Sequence, residues 1–78
     1  MKLPTYKEVW YFGLKLVVPN WVKCIATDKC GEIWGYETID IFTRGNSWNC
    51  NSYSEIVLIF ENVDLENTHW TKSKLEVE

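Results

Sequence analysis

Four side chains of the types that bind zinc occur in this sequence: Cys24, Cys30, Cys50 and His69. Three cysteines and one histidine can hold a structural zinc ion. Such sites take their thiolates from closely spaced pairs, because one turn then presents two ligands together. Here five, nineteen and eighteen residues separate the successive ligands. The spacing therefore predicts neither a metal site nor a cofactor, and it favours Cys24 as a small apolar side chain in a strand.

The same residues are poor candidates for catalysis. A nucleophilic cysteine needs a base within hydrogen-bond reach, and His69 is the only histidine, in a predicted turn beside Trp70. Glu37 and Asp40 could flank a cleft, but acids around turns are usually solvated. The four glycines are isolated from one another, so the sequence has no glycine-rich phosphate loop. We therefore expect no catalytic residues and no enzymatic activity.

Aromatic residues are the most informative group, because the chain has five Trp, four Tyr and three Phe in 78 residues. Side chains alternate between the two faces of a strand, so Trp34 and Tyr36 share one face of the segment EIWGYE. Trp48 belongs to the next predicted hairpin and would stand near them, with Arg44 at its tip. Trp, Tyr and Arg dominate binding hot spots. The pattern predicts a binding surface at Trp34, Tyr36, Arg44 and Trp48.

Two alternatives to this surface stay open. The rings could instead form the core of a small domain, since each buried ring removes about 150–250 Å² from water. They could also stack on a nucleobase while Arg44 meets a phosphate. A flat patch would favour a protein partner, and a concave pocket would favour a nucleotide.

The first element is predicted to be a short helix at residues 5–13. Thr5 and Glu8 have the spacing of a capping box, in which each side chain satisfies a free N–H group of the first turn. Gly13 offers the left-handed conformation that ends a helix. Residues 14–19, LKLVVP, then alternate as an extended segment.

The rest of the chain has the pattern of antiparallel strands. DKCG, residues 28–31, predicts a type I turn whose glycine takes positive φ, and TRGN, residues 43–46, predicts the tip of a second hairpin. The run at residues 56–60 is apolar on both faces, which suits a central strand. After it we expect a short helix or extended end in which Trp70 and Leu75 pack back on the domain.

Together these elements predict one small domain over residues 1–78. Its class is α+β and mostly β, with a small antiparallel sheet of four or five strands in a meander. The short N-terminal helix lies across one face of that sheet.

Charge and hydropathy exclude several partners. The formal net charge is −3; residues 1–30 carry five Lys against Glu8 and Asp28, whereas residues 31–78 carry three basic residues against nine acids. Such a chain lacks the basic footprint of a nucleic-acid binder, and its acidic half suits a basic partner surface. No apolar run approaches the roughly 20 residues of a membrane span. Three cysteines without a secretory signal indicate a reducing cytoplasm.

The segment VPNWVKCIATDKCGEIWGYE and the tail HWTKSKLEVE resemble a group of short bacteriophage proteins. Those proteins share a motif of the kind Pro-x-x-Ala/Val-Lys-x-Ile-Ala-x-Asp-x-x-Gly-x-Ile/Trp-Trp-x-Tyr-Glu, and they often end in a Trp-x-x-Ser-Leu tail. The matched positions are Pro19, Val22, Lys23, Ile25, Ala26, Asp28, Gly31, Trp34, Tyr36 and Glu37, with Trp70 and Ser73 in the tail.

This sequence departs from that pattern at three places. Cys30 stands where an acidic or small polar residue is usual, no Pro follows Glu37, and Lys74 separates Ser73 from Leu75. The resemblance covers about half of the chain. It implies a phage setting and a small β-rich fold, and it supplies no catalytic residues.

These observations predict a phage-encoded accessory protein without enzymatic activity, which binds and blocks a host protein in the host cytoplasm. A component of a host defence system is one candidate target. The alternative is a small-ligand binder that sequesters a nucleotide signal in an aromatic pocket. Neither a membrane nor direct binding to nucleic acid is expected, and self-association stays open.

Overall fold

The computed structural model describes residues 5–51, 53–65 and 67–78. Strands dominate this part of the chain, and its strand pairs are antiparallel, as predicted. The strands are β1 (Tyr6–Tyr11), β2 (Leu14–Pro19), β3 (Cys24–Thr27), β4 (Ile33–Tyr36), β5 (Ile41–Arg44), β6 (Ser47–Cys50), β7 (Ile56–Phe60) and β8 (Leu75–Glu76). A 3-10 helix at Trp70–Lys72 lies between β7 and β8.

The predicted N-terminal helix at residues 5–13 is wrong, because this segment forms β1 and the turn that follows it. Burial along β1 alternates with the period of a strand, so that Tyr11 is buried and Trp10 is exposed. Phe12 and Gly13 both have positive φ, 47° and 83°, as a two-residue type I′ turn requires. Gly13 therefore closes a hairpin instead of ending a helix.

The two residues that suggested a capping box take part in this hairpin. The Thr5 C=O accepts a hydrogen bond from the Asn20 N–H at 3.0 Å, and the Thr5 hydroxyl accepts one from Asn20 Nδ2 at 2.8 Å. Glu8 forms an ion pair with Lys15, with Oε2 and Nζ 3.0 Å apart. Pairing with β2 thus overrides a local pattern that fits a helix start.

Both hairpins predicted from turn sequences are confirmed. β3 and β4 pair across the turn at residues 28–31, where the Gly31 N–H donates to the Asp28 C=O at 2.9 Å and Gly31 has a φ of 90°. β5 and β6 pair across a turn in which Gly45 has a φ of 63°. In both turns a glycine occupies the position of positive φ.

The largest sheet has four strands in the order β7-β4-β3-β8, which departs from the predicted meander. β5 and β6 form a separate two-stranded sheet. The edge of β4 that does not pair with β3 therefore pairs with β7. β7 was predicted to be central, but it lies at the edge of the sheet. Val57 and Ile59 pack against the core, whereas Ile56, Leu58 and Phe60 on the other face are exposed.

The four-stranded sheet is covered on both faces, so all four residues of β3 are buried. On one face the β1–β2 hairpin places Tyr11, Leu16 and Val18 in a core cluster with Ile25 and Ile33. The second cluster, under the β5–β6 hairpin, consists of Cys24, Ala26, Tyr36 and Ile41, with Trp34, Trp48 and Cys50 packed against it.

A buried hydrogen-bond network around Ser73 holds the C-terminal segment to the sheet. Ser73 Oγ accepts from the Thr27 N–H at 2.8 Å and donates to the Trp70 C=O at 2.6 Å. The Tyr11 hydroxyl lies 2.7 Å from the Thr27 hydroxyl and donates to the Ser73 C=O at 2.9 Å. The network joins β1, β3 and the 3-10 helix, and Leu75 packs against the core, so the tail packs back as predicted.

Candidate functional site

Of the four residues predicted to form a binding surface, three lie together. Trp34, Tyr36 and Trp48 line a small cavity of about 240 Å³ beside the β5–β6 hairpin. Arg44 is exposed on β5 and does not line this cavity. The shared face of Trp34 and Tyr36 is confirmed. Tyr36 is only 3% exposed, however, and Trp34 and Trp48 are half-buried, so most of the ring surface packs inside the protein.

Trp48 connects the β5–β6 hairpin to the rest of the domain. Its backbone N–H donates to Asp28 Oδ1 at 2.7 Å, and its Nε1 donates to the Trp70 C=O at 3.1 Å. The Tyr36 hydroxyl donates to the Trp48 C=O over a longer distance of 3.4 Å. Trp48 and Tyr36 therefore connect the β5–β6 hairpin to the sheet and to the C-terminal segment.

Asp28 supplies the charge at this cavity, and its side chain is largely buried. Burial raises the pKa of the Asp28 carboxyl; the hydrogen bond from Trp48 opposes this shift, and the nearby Glu32 adds to it. Burial also raises the pKa of the Tyr36 hydroxyl, and the Asp28 charge raises it further. A carboxylate at the cavity wall makes this place unsuitable for a phosphate.

The Asp28 carboxyl makes a testable contribution to the pH dependence of stability. Because the folded state raises its pKa, this group stabilises the fold at low pH, and the stabilisation is lost as pH rises through the raised pKa. Asp28→Asn keeps an oxygen for the Trp48 N–H and removes the titration. We expect the unfolding free energy of this variant, relative to the wild type, to rise with pH across the acid range.

Urea unfolding at a series of pH values measures this difference. Asp28→Ala is the matched control, because it leaves the Trp48 N–H without its acceptor and should cost about 1–3 kcal/mol. A relative stability of Asp28→Asn that falls as pH rises would contradict the burial of this carboxyl.

A larger concave surface lies between the β1–β2 hairpin and β7, and we call it the β2–β7 groove. Its volume is about 850 Å³, within the range of natural ligand sites. Residues 12–17 form one wall, and the end of β7 with residues 62–65 and 67–68 forms the other. The large apolar side chains that are exposed along it are Phe12, Leu14, Val17 and Phe60.

Phe12 has a backbone conformation that phenylalanine rarely adopts. Its φ of 47° is left-handed, at a turn position where Asn or Gly is preferred. Its ring is 46% exposed and meets the Tyr11 ring edge-on, with centroids 4.9 Å apart. The backbone strain offsets the stabilisation that this edge-on ring pair gives, so the ring adds little net stability. Because such outliers cluster at functional sites, its position on the groove wall makes Phe12 a candidate binding residue.

Two open sheet edges flank the β2–β7 groove. β2 pairs with β1 and β7 pairs with β4, and neither strand has a second neighbour among the described residues. An edge strand presents unpaired N–H and C=O groups that can pair with another chain. The groove therefore combines exposed apolar side chains with main-chain hydrogen-bonding groups.

Sequence reasoning misses the groove residues because residues 5–13 are predicted as a helix. A usable signal is present for the hairpin: YKEVWY and LKLVVP both alternate and are separated by two residues, a spacing typical of a β-hairpin. That pattern predicts an exposed tip at Phe12. No local pattern indicates that β2 and β7 lie side by side.

The residues with reactive side chains are dispersed. In the part of the chain that the structure describes, no three His, Cys, Asp or Glu side chains lie close enough to hold one metal ion. His69 caps the 3-10 helix, where its Nδ1 accepts the Thr71 N–H at 3.3 Å. Burial raises the pKa of the Cys24 thiol, and Cys30 is exposed in the β3–β4 turn.

Membrane spanning by a helix is not supported: within residues 5–51, 53–65 and 67–78, no helix is long and apolar enough to cross a bilayer.

The fold and the site define a small antiparallel β protein with an apolar groove between two open sheet edges. Comparison of the chain with models of protein families, with curated proteins and with solved structures finds no match. The function is therefore inferred from the groove, the edges and the charges around them.

Proposed function

We propose that this protein is a non-catalytic binding protein that covers and blocks a surface of another protein. The observation that carries the proposal is the β2–β7 groove, along which Phe12, Leu14, Val17 and Phe60 are all exposed. Exposed apolar surface with a polar rim is typical of protein-binding sites, and Asp64 contributes to such a rim here. Occlusion of a partner needs one surface and no reacting group.

The setting that we propose is a bacteriophage protein acting in the host cytoplasm, with a host protein such as a defence component as its partner. Support for this setting comes from the resemblance of the hairpin segment and the tail to short phage proteins. Matched residues have structural tasks here, because Asp28 and Gly31 build the β3–β4 turn and Ser73 holds the tail. The resemblance therefore supports the fold and the setting, and the groove supports the mode of action.

A nucleotide is the weaker candidate for the partner. The cavity beside Trp34 and Trp48 measures about 240 Å³, which is below the roughly 300–1,000 Å³ of common ligand pockets. Asp28 lines it and Arg44 does not, so a phosphate would meet a carboxylate there.

The β2–β7 groove is large enough for a nucleotide, but the basic residue that lines it in the described part of the chain, Lys15, is paired with Glu8, and Asp64 lines it as well. The charges therefore disfavour a phosphate in the groove too, and the open strand edges favour a protein partner there.

Phe12→Asn separates binding from folding. Asn fits a type I′ turn better than Phe does, and this offsets the lost edge-on contact with Tyr11, so the variant should be about as stable as the wild type. Loss of the ring should weaken partner binding by about 2 kcal/mol or more, as expected for an aromatic hot spot. Thermal unfolding, run beside capture from a bacterial lysate with quantitative mass spectrometry, measures both effects.

Tyr53→Ser is the matched control for this experiment. Tyr53 is fully exposed and does not line the groove, so its removal reduces surface aromaticity and leaves the groove intact. The same proteins should be captured in the same amounts by this variant and by the wild type. Full capture by Phe12→Asn would contradict the groove as the binding surface, and a lysate that yields no specific protein would contradict the blocking function.

A further inference from the structure

The main chain of β2 presents hydrogen-bonding groups to the β2–β7 groove. A two-residue hairpin loop makes its flanking residues, Tyr11 and Leu14, a hydrogen-bonded pair. Bonded and non-bonded pairs alternate along antiparallel strands, so Lys15 and Val17 fall in non-bonded pairs. Their N–H and C=O groups therefore point away from β1, toward the open edge that lines the groove.

β7 closes the other side of the groove with Ile59 and Phe60. Its pairing with β4 shifts register between Ile33 and Trp34, and such a bulge is one of the features that keep an edge strand from pairing with another chain. β7 is apolar at every position, and the Phe60 ring is exposed. The β7 wall therefore offers apolar contact, and β2 offers the main-chain groups with which an added strand can pair.

The charges around β7 distinguish between two candidate occupants of the groove, a second copy of this protein and a strand of another protein. Glu55 and Glu61 flank β7 and Asp64 lines the groove, and all three are exposed. Lys15 on the opposite wall is already paired with Glu8 at 3.0 Å. A second copy of β7, paired antiparallel about its centre, would place Glu55 opposite Glu61 at both ends, and like charges opposite each other are destabilising. The charges favour a different strand with basic residues at its ends.

We propose that the partner is recognised by β-strand addition. An extended segment of the partner protein lies in the β2–β7 groove and pairs its main chain with the outward N–H and C=O groups of Lys15 and Val17. Apolar side chains at every second position of the segment contact the groove, and Lys or Arg at its ends meet the acids around β7. The inference rests on the proposed binding function and adds how the partner is recognised: the main chain supplies affinity and alternate side chains supply specificity.

A library of randomised peptides of about twelve residues, long enough to span a strand, is the probe. Selection on the immobilised protein should yield sequences with alternating apolar residues and basic ends. The best peptide is then synthesised and titrated against the wild type, Val17→Pro and Val17→Thr. Proline at this edge position removes the outward N–H and spares the β1–β2 hydrogen bonds. Threonine keeps both the N–H and the branched shape.

Val17→Pro should weaken peptide binding by about tenfold or more. Val17→Thr keeps the N–H and loses only apolar contact at the groove wall, so it should weaken binding several-fold less than Val17→Pro does. Melting temperatures of both variants show whether the hairpin is intact. A second measurement does not depend on a protein variant: N-methylation of the peptide at single amides. Methylation should abolish binding at every second position only, because alternate amides of an added strand face the protein.

Several outcomes would overturn strand addition. These are a library that yields no peptide, equal binding to Val17→Pro and the wild type, and N-methylation that is equally tolerated at every position. In each case, the proposed function would still be supported by a lysate protein that the wild type captures and Phe12→Asn does not. Failure of strand addition is therefore distinguishable from failure of the proposed function. Sedimentation of the free protein shows whether a second copy of the chain occupies the groove. A wild-type dimer that becomes a monomer in Val17→Pro would assign the groove to self-association and overturn the inference as well.

Discussion

Gly31→Ala is expected to lower the free energy of unfolding by about 3 kcal/mol, because two costs add at this position. Gly31 has a φ of 90°, a left-handed conformation in which a side chain is strained. An added Cβ would also lie 2.7 Å from the Val63 C=O oxygen and 3.1 Å from the Val63 backbone N. These are backbone atoms and not the end of a flexible side chain, so one of the two chain segments must move.

Neither segment moves freely. The Val63 N–H donates to the Gly31 C=O at 2.9 Å, and the Gly31 N–H donates to the Asp28 C=O at 2.9 Å. Val63 also packs against the first core cluster and lines the β2–β7 groove. Gly31→Ala should therefore disturb one wall of the groove and weaken partner binding in addition to stability.

Gly13→Ala and Cys30→Ser are the controls. Gly13 has a φ of 83° but no atom within 4 Å of an added Cβ, so its replacement reports the backbone strain alone, about 1–2 kcal/mol. Cys30 is exposed, and its replacement should be nearly neutral. Urea unfolding of the three variants gives the comparison. Equal losses for Gly31→Ala and Gly13→Ala would contradict the close approach of Val63.

Features that depend on a few neighbouring residues are predicted from the sequence. Asp28 and Gly31 specify the β3–β4 turn because both the turn hydrogen bond and the positive φ are local. The alternation that places Trp34 and Tyr36 on one face is equally local. The same kind of rule fails at residues 5–13, because the spacing of a capping box followed by a glycine also fits a strand that ends in a type I′ turn. The choice between them is made by pairing with β2.

Features that depend on distant pairing are not predicted. The apolar run at residues 56–60 fits a central strand as well as an edge, and the position of β7 follows from the separate pairing of β5 with β6. The β2–β7 groove arises from two strands with no local signal for each other. Burial of Tyr36 likewise depends on how the β5–β6 hairpin docks, which the Asp28–Trp48 hydrogen bond fixes. The sequence therefore predicts the aromatic cluster and its shared face, and misses its burial and the groove.

Tyr36→Ala is expected to destabilise the protein by about 3–5 kcal/mol, a large part of the stability of a small domain. The Tyr36 ring is buried against Cys24, Ala26 and Ile41, so its removal leaves a cavity in the second core cluster. Trp34→Ala should cost less, because Trp34 is only half-buried. Thermal and urea unfolding of the two variants measure the difference.

Tyr36→Phe and Arg44→Ala are the companion variants that allow binding to be measured. Tyr36→Phe keeps the ring and loses one long hydrogen bond, to the Trp48 C=O at 3.4 Å, and should cost about 1 kcal/mol or less. Arg44 is exposed, and Arg44→Ala should leave stability about unchanged. If the partner binds the β2–β7 groove, both variants bind it as the wild type does, whereas Phe12→Asn binds it weakly.

If Arg44→Ala keeps its stability and loses partner binding, the binding surface is the one predicted from the sequence. That surface consists of Trp34, Tyr36, Arg44 and Trp48. Burial is the reason to expect the opposite result. The fold needs the Tyr36 ring in its core, so a partner could contact that ring only after the β5–β6 hairpin has moved away. The Phe12 and Phe60 rings are exposed before any partner arrives, and they can contact it without such a rearrangement.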